Sequence, residues 1–227
     1  MSAPGADTGD RAAFVDRLRS RLAAGTPTNP AHPLPAPAER VPIAVSTLLD
    51  PDDLVGSFVR NAEAAGVHVT RVEGDAVPPE LIDVLLADRT VRRAVATREP
   101  EARAVAAQLV ARGVEVMPLG KDASAAADLG VTGALAGLAT TGTVVQHSGL
   151  AGGRTASLLP PIHLCVLRAS RIVASTAEAL RTLGDGRALP SNIALVTGPS
   201  RSGDIEQIIA LGVHGPLEVR VIVLDGC

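Results

Sequence analysis

The segment VTGPSRSGDIE, residues 196–206, has residue types and spacing that could bind a ligand. Gly198 and Gly203 have the spacing of the glycines in a phosphate-binding P-loop, G-x-x-x-x-G-K-[ST]. Asp204 stands where that pattern needs lysine, and Ile205 where it needs serine or threonine. Because the lysine and the magnesium ligand are both missing, the segment is not a triphosphate loop. It is either a different anion site or a structural turn.

The anion-site interpretation depends on the elements predicted on either side. NIALVTG predicts a buried strand and DIEQIIALG a helix, so the loop follows a strand end and precedes unpaired helix amides. Serine hydroxyls and one guanidinium in the loop suit a carboxylate or phosphate. In the alternative, an aspartate caps the helix and a proline shapes the turn. The candidate ligand-binding residues are Gly198, Pro199, Ser200, Arg201 and Asp204.

Two further loops contain groups that could bind an anion. Thr141 and Thr143 flank Gly142 in LATTGTVVQ, and a hydroxyl-lined turn of this kind can hold an anion through its backbone amides. HSGLAGGRTASLLPP carries Arg154 on a glycine-rich loop that could deliver the guanidinium to a ligand. The alternatives are a tight hairpin and a flexible surface loop. We include these four residues among the ligand-binding candidates.

No metal site and no catalytic residue is predicted. The five histidines lack metal-ligand spacing, and the sequence contains neither a Ser-His-Asp pattern nor G-x-S-x-G. The two cysteines, Cys165 and Cys227, cannot by themselves ligate an iron–sulfur cluster or a structural zinc. Cys165 lies in HLCVL, where a small buried residue is expected.

The elements that must position these loops predict an α/β fold. From about residue 41, short apolar strands alternate with amphipathic helices, which indicates a three-layer domain with a mostly parallel sheet. The Thr-, Val- and Gly-rich stretch 130–149 predicts an antiparallel insertion with a turn at residues 141–142. Residues 1–40 are assigned to an amphipathic helix over 10–24 and a proline-rich linker, and residues 41–227 to the α/β domain.

Composition excludes several classes of function. Aromatic residues make up 1% of the chain and the net charge is −3, so we expect no nucleic-acid binding. The N-terminus lacks the basic and apolar regions of a signal peptide, and no apolar run is long enough to cross a membrane. We therefore expect a cytoplasmic protein without membrane association.

Three stretches together resemble the LUD-domain proteins of the lactate utilisation protein C type. They are GLATTGTVVQHSG with the following GRTASLLPPIHLCVL, then VTGPSRSGDIE, and finally GVHGPLEVRVIVLD. The resemblance covers about residues 40–225. It implies a fold similar to the NagB/RpiA/CoA-transferase-like architecture.

The resemblance also implies a function. Proteins of this type take part in oxidising L-lactate to pyruvate beside partner subunits that carry iron–sulfur clusters. This chain would then be a clusterless accessory component, without a cofactor of its own and with a small carboxylate or phosphate as ligand. Two alternatives stay open: a free-standing enzyme of the sugar-phosphate isomerase or CoA-transferase-like class, and a metabolite-binding regulatory module.

Overall fold

The computed structural model describes residues 13, 15–17, 19–20, 49–88, 90–151, 154–184, 190, 192–202, 210–211 and 215–226. The chain divides into two compact units, Met1–Ile43 and Ala44–Cys227. In the first unit, the described residues of the predicted helix over 10–24 are all helical, and Arg19 pairs with Asp16 at 3.6 Å. The proline-rich linker lies outside the described residues, and the domain boundary at residue 40 stays a prediction.

The second unit alternates helices and strands. Its helices are α1 (Leu54–Ala64), α2 (Pro79–Asp88), α3 (Pro100–Val110), α4 (Lys121–Ala126), α5 (Ser148–Ala151), α6 (Thr155–Leu158) and α7 (Thr176–Gly184), with a 3-10 turn at Ala169–Arg171. Its strands are β1 (His68–Val72), β2 (Arg93–Ala96), β3 (Glu115–Met117), β4 (Leu129–Gly133), β5 (Ala136–Leu138), β6 (Thr143–His147), β7 (Ile162–Arg168), β8 (Ile172–Val173), β9 (Ile193–Val196), β10 (Arg201–Ser202), β11 (Ala210–Leu211) and β12 (Glu218–Leu224).

Six of these strands form a parallel sheet in the order β1-β12-β7-β4-β2-β3. The side chains of the central strand β7 show that both faces of the sheet are covered. Ile162, Leu164 and Val166 point into one apolar cluster, which includes residues of α2 and α3. Cys165 and Leu167 point into the cluster on the opposite face, which includes α1. The predicted three-layer α/β fold with a mostly parallel sheet is confirmed.

A second sheet has the order β8-β5-β6-β9 and contains the predicted antiparallel insertion. Strands β5 and β6 form a hairpin, and the Leu138 carbonyl accepts hydrogen bonds from the amides of Thr141 (3.3 Å) and Gly142 (2.9 Å). Strand β9 was predicted to be buried, and this is wrong. It lies at the edge of the second sheet, and Leu195 is 52% exposed.

Helix α1 forms because its apolar residues recur at helical spacing, and it buries Phe58 and Ala62 completely. The segment DPDDL, with Pro51 directly after Asp50, predicts Asp50 as the N-cap of this helix, and that prediction is wrong. Asp53 caps the helix, and its Oδ1 accepts the Gly56 amide at 2.8 Å. Asp50 instead accepts the amide of Asp52, in the turn before the helix. No helix in the described ranges is both long and apolar enough to cross a membrane.

Candidate functional site

The predicted threonine turn and the start of the Gly198 loop lie together. The Thr143 hydroxyl oxygen is 2.7 Å from that of Thr141 and 2.7 Å from that of Thr197, so three hydroxyls form a chain. Thr143 is buried, whereas Thr141 and Thr197 are exposed. The fold thus brings together two loops that are more than fifty residues apart in sequence.

Both glycines of these loops have positive φ angles, 63° at Gly142 and 80° at Gly198, and both lie against α1. A Cβ atom on Gly142 would overlap the Ala62 backbone nitrogen, and one on Gly198 would overlap the Ala65 carbonyl oxygen. Asn61 fixes the turn by donating a buried 2.6 Å hydrogen bond to the Ala139 carbonyl. Both positions therefore require glycine for packing and backbone conformation, whether or not the loops bind a ligand.

The Gly198 loop follows the end of a strand, as predicted, but that strand does not belong to the parallel sheet. The loop follows β9 of the second sheet, beside the carboxyl end of α1. Its predicted following helix is also wrong at Ala210 and Leu211, which form β11 and pair with β10. The side chain of Arg201, and Asp204 as a whole, lie outside the described residues.

Arg154 is exposed and lies immediately before α6, and its carbonyl oxygen accepts hydrogen bonds from that helix. That oxygen accepts the Leu158 amide at 3.1 Å and the Ser157 hydroxyl at 3.2 Å. Helix α6 approaches the Gly198 loop through Gly215, because a Cβ there would lie 3.9 Å from Leu158 Cδ2 and 3.2 Å from Ser200 Cβ. The ligand-binding roles assigned to all these loops, including Pro199, stay predictions.

Substituting Thr143 by valine tests whether the hydroxyl chain holds the two loops together. Thr143→Val keeps the side-chain shape and removes both 2.7 Å contacts. We expect the free energy of unfolding to fall by about 1 kcal/mol, the net contribution of a typical intramolecular hydrogen bond or slightly more. Urea denaturation followed by circular dichroism measures this. Thr70→Val, at an exposed strand position, is the control and should change little; equal costs would contradict the structural role.

A second polar region lies at the carboxyl edge of the parallel sheet. After β2 the chain continues outward to β3, whereas after β4 it continues in the opposite direction to β7, so the strand order reverses between β2 and β4. Open α/β sheets bind ligands at such a point. Here the Thr97 amide bonds the Val131 carbonyl at 3.0 Å, and Glu99 packs against Gly133. Glu99 is buried, and its Oε2 has no hydrogen-bond partner.

Two arginines hold a second buried acid at this edge. Arg168 donates from Nε to Glu101 Oε1 at 2.6 Å, and an Arg171 nitrogen lies 3.4 Å from the same oxygen. Arg171 also donates to the Ala134 carbonyl at 2.9 Å. Burial raises the pKa of Glu101, but the Arg168 hydrogen bond, the residue's own amide and the two positive charges outweigh it, so this pKa is lowered. The carboxylate is therefore ionised at neutral pH.

A cavity of about 100 Å³ lies beside this cluster. Arg168 and Glu101 line it together with Asp75, and Val77, Ala104, Val166 and Leu224 are among its apolar walls. The cavity therefore combines one guanidinium, carboxylates and aliphatic surface, which is a surrounding suited to a small organic ion.

A buried polar cluster joins β4, β6 and β7 between the two sheets. Gln146 donates to the Thr132 hydroxyl oxygen at 2.6 Å, and that oxygen is 2.9 Å from Nε2 of His163. His163 is fully buried, and desolvation lowers its pKa to about 4. Burial raises the pKa of the Cys165 thiol to about 12, and the negative charge of Glu99 acts in the same direction. At neutral pH the imidazole and the thiol are therefore both uncharged.

The sequence model of the LUD domain matches residues 55–224, which is well over half of the chain. The chain belongs to the LUD domain family. The resemblance noted in the sequence is therefore confirmed.

Several relatives of this LUD-domain chain are named Lactate utilization protein C. The protein of that name from Shouchella clausii is 43% identical over 103 residues, which cover 44% of each chain. The one from Halalkalibacterium halodurans is 41% identical over 103 residues, which cover 44% of this chain and 45% of the relative. In both cases the match spans less than half of the relative's length.

A solved structure supports the fold. A DUF162 family protein from Deinococcus radiodurans superposes with a TM-score of 0.57 at 23% sequence identity. The match covers 78% of the LUD-domain chain and 99% of that protein. At this level of identity the likeness concerns the fold.

Sequence reasoning missed the carboxyl-edge residues of the LUD domain. Glu99 and Glu101 flank Pro100 a few residues after β2, Arg168 is the last residue of β7, and Arg171 lies three residues beyond it. Charged residues after two buried strands are a usable signal, since carboxyl ends of parallel strands share one edge. Among the residues that the structure describes, no group of three or more His, Cys, Asp or Glu side chains is placed to hold a metal ion.

Proposed function

We propose that this chain is an accessory component of an L-lactate utilisation system that oxidises L-lactate to pyruvate. The observation that carries the proposal is the match, at about 40% identity, to relatives named Lactate utilization protein C, together with membership of the LUD domain family. Because the match covers less than half of each relative, the activity and partners of those proteins are carried over as part of the proposal.

The chain has no iron–sulfur cluster of its own in this proposal, and partner subunits hold the clusters. Cysteine chemistry supports this assignment. The sequence contains two cysteines, whereas [2Fe–2S] and [4Fe–4S] clusters usually need four thiolate ligands. Cys165 is completely buried, and this burial raises the pKa of its thiol to about 12, so the thiol is protonated at neutral pH. A protonated, enclosed thiol is a poor metal ligand.

Burial of the strand-edge acids favours the accessory role over a free-standing acyl-CoA-transferase-like enzyme. Such an enzyme needs a carboxylate nucleophile that substrate can reach. Glu99 and Glu101 are each only 6% exposed, and Glu101 is held by two arginines. Asp204 and Glu206, the acids of the Gly198 loop, lie outside the described residues.

Complex formation tests the proposed function. We expect the full-length chain to co-purify with the cluster-bearing subunits, and deletion of its gene to prevent growth on L-lactate while growth on glucose continues. Re-expression of the wild-type chain should restore growth. Normal growth of the deletion strain on L-lactate, with no complex detected, would contradict the proposed function.

A further inference from the structure

The cavity of about 100 Å³ lies where three neighbouring strands of the parallel sheet end. Val72, Leu224 and Arg168 are the last residues of β1, β12 and β7, and strand pairing places them at one level. Leu224 and Arg168 line the cavity, together with Asp75 from the loop that follows β1. The carboxyl ends of the strands are the side on which open α/β sheets bind ligands, so the position suits a binding site.

Arg168 supplies a positive charge and hydrogen-bond donors to the cavity. Its Nε donates to Glu101 Oε1 at 2.6 Å, which holds the guanidinium plane in place. Within the described part of the chain, the two terminal nitrogens of this guanidinium have no hydrogen-bond partner. A held guanidinium with two free terminal nitrogens matches the two oxygens of a carboxylate.

Asp75 supplies a negative charge that no described residue neutralises. Its loop follows β1, whereas Arg168 ends β7, and β12 lies between these two strands. Among the residues that the structure describes, the Asp75 carboxylate has no hydrogen bond and no ion pair. An exposed carboxylate of this kind is suited to an ammonium group, which offers three donors and a positive charge.

The charges of the lining favour a ligand that carries both signs. One lining side chain is positive, that of Arg168, and two are negative, those of Asp75 and Glu101. Glu101 is already held by Arg168 and Arg171, so it is not available to a ligand. A monoanion would be attracted by Arg168 but repelled by Asp75, and a monocation would meet the reverse. A zwitterion places each of its charges beside an opposite one and adds no net charge.

Size and surface restrict the ligand further. A volume of about 100 Å³ corresponds to roughly three water molecules at liquid density, which suits the smallest α-amino acids. Val77, Val166 and Leu224 offer aliphatic surface for a methyl group. We propose that this cavity binds a short aliphatic α-amino acid of the size of alanine, with its carboxylate on Arg168 and its ammonium on Asp75. The site goes beyond the proposed function, because neither L-lactate nor pyruvate carries an ammonium group.

Removing the charge of Asp75 tests the ammonium contact. Asp75→Asn keeps the shape of an exposed side chain, and we expect it to bind L-alanine at least tenfold more weakly, because an amide replaces the carboxylate acceptor. Glu73→Gln is the matched control. It removes a negative charge from an exposed residue of the same loop that does not line the cavity, and its Kd should stay within about twofold of the wild type.

A blocking variant tests the position of the site without changing any charge. Ala104 is exposed on α3 and lines the cavity, so Ala104→Leu should fill it and prevent binding of L-alanine. Ala107→Leu, at an exposed position of the same helix that does not line the cavity, should bind like the wild type.

Calorimetric titration of the full-length chain measures the Kd of L-alanine, propionate and ethylamine. Propionate lacks the ammonium and ethylamine lacks the carboxylate, so each should bind at least tenfold more weakly than L-alanine. At a hundred times its Kd, L-alanine should also raise the Tm of the wild type and of Glu73→Gln by about 5 °C. Cosolutes that are excluded from the protein surface stabilise proteins without binding, so Asp75→Asn and Ala104→Leu are measured at the same concentration and should show a smaller shift.

Three results would each overturn the inference: no saturable binding of L-alanine to the wild type, equal affinities of Asp75→Asn and Glu73→Gln, or equal affinities of Ala104→Leu and Ala107→Leu. Equal binding of propionate and L-alanine would show an anion site, and equal binding of ethylamine and L-alanine a cation site. Either of these would contradict the assignment of a zwitterion.

Discussion

Gly142→Ala should lower the free energy of unfolding by about 3 kcal/mol. The substitution adds one methyl group, but it does so at φ 63° and directly against α1. The new Cβ would overlap the Ala62 nitrogen and lie 2.5 Å from the Asn61 carbonyl carbon, both of them backbone atoms. Backbone of a buried helix cannot rotate away as a side chain can, so the hairpin turn or α1 must shift.

A second glycine separates the cost of the backbone conformation from the cost of the overlap. Gly113 has φ 81°, and a Cβ there would meet nothing within 4 Å. Gly113→Ala is therefore expected to cost about 1 kcal/mol, from the left-handed conformation alone. Urea denaturation followed by circular dichroism suits both variants, because the chain has no Trp. Equal costs at Gly142 and Gly113 would show that the turn and α1 are not packed as described.

The alternation of apolar strands with amphipathic helices was enough to predict the parallel sheet, because strands buried on both faces are nearly continuous apolar runs. The same reasoning failed for β9. IALV has the composition of a buried strand, yet Leu195 faces outward at the edge of the second sheet. Which sheet a strand joins depends on partners far away in sequence, here Val144–His147 of β6.

The candidate site shows the same division between local and long-range information. Thr141, Gly142 and Gly198 stood out locally, as turn residues between predicted strands. The ion pair between Arg168 and Glu101 did not, because these residues are 67 positions apart and meet only through the strand order. Neighbouring residues were also not enough to predict the N-cap of α1, because several aspartates precede the helix and only side-chain geometry selects Asp53.

Acidification should destabilise the fold through His163. Its pKa in the folded protein is about 4 because burial disfavours the charged ring, compared with 6.5 as the ordinary value. Between these values the unfolded chain binds a proton at this residue and the folded chain does not, so stability falls as the pH falls from 6.5 towards 4. Between pH 7.5 and 5.0 we expect a loss of about 2 kcal/mol from this residue alone.

The hydrogen bonds around His163 fit the neutral ring that burial favours. Gln146 donates to the Thr132 oxygen, which leaves the threonine proton free to bond Nε2 of the imidazole. The ring proton then lies on Nδ1, which is buried without a partner. A second proton would have to go to Nε2, where it would break the bond from Thr132 and place a charge where Gln146 also presents a donor, at 3.3 Å.

Urea denaturation of wild type and two variants at pH 7.5 and 5.0 isolates this effect. His163→Gln removes the titrating ring, so its loss of stability between the two pH values should be about 2 kcal/mol smaller than that of the wild type. His68→Gln also removes an imidazole, but from an exposed position on β1, and should behave like the wild type. If His163→Gln kept the full pH dependence of the wild type, the loss would come from other groups, and the buried ring would not be the source of acid sensitivity.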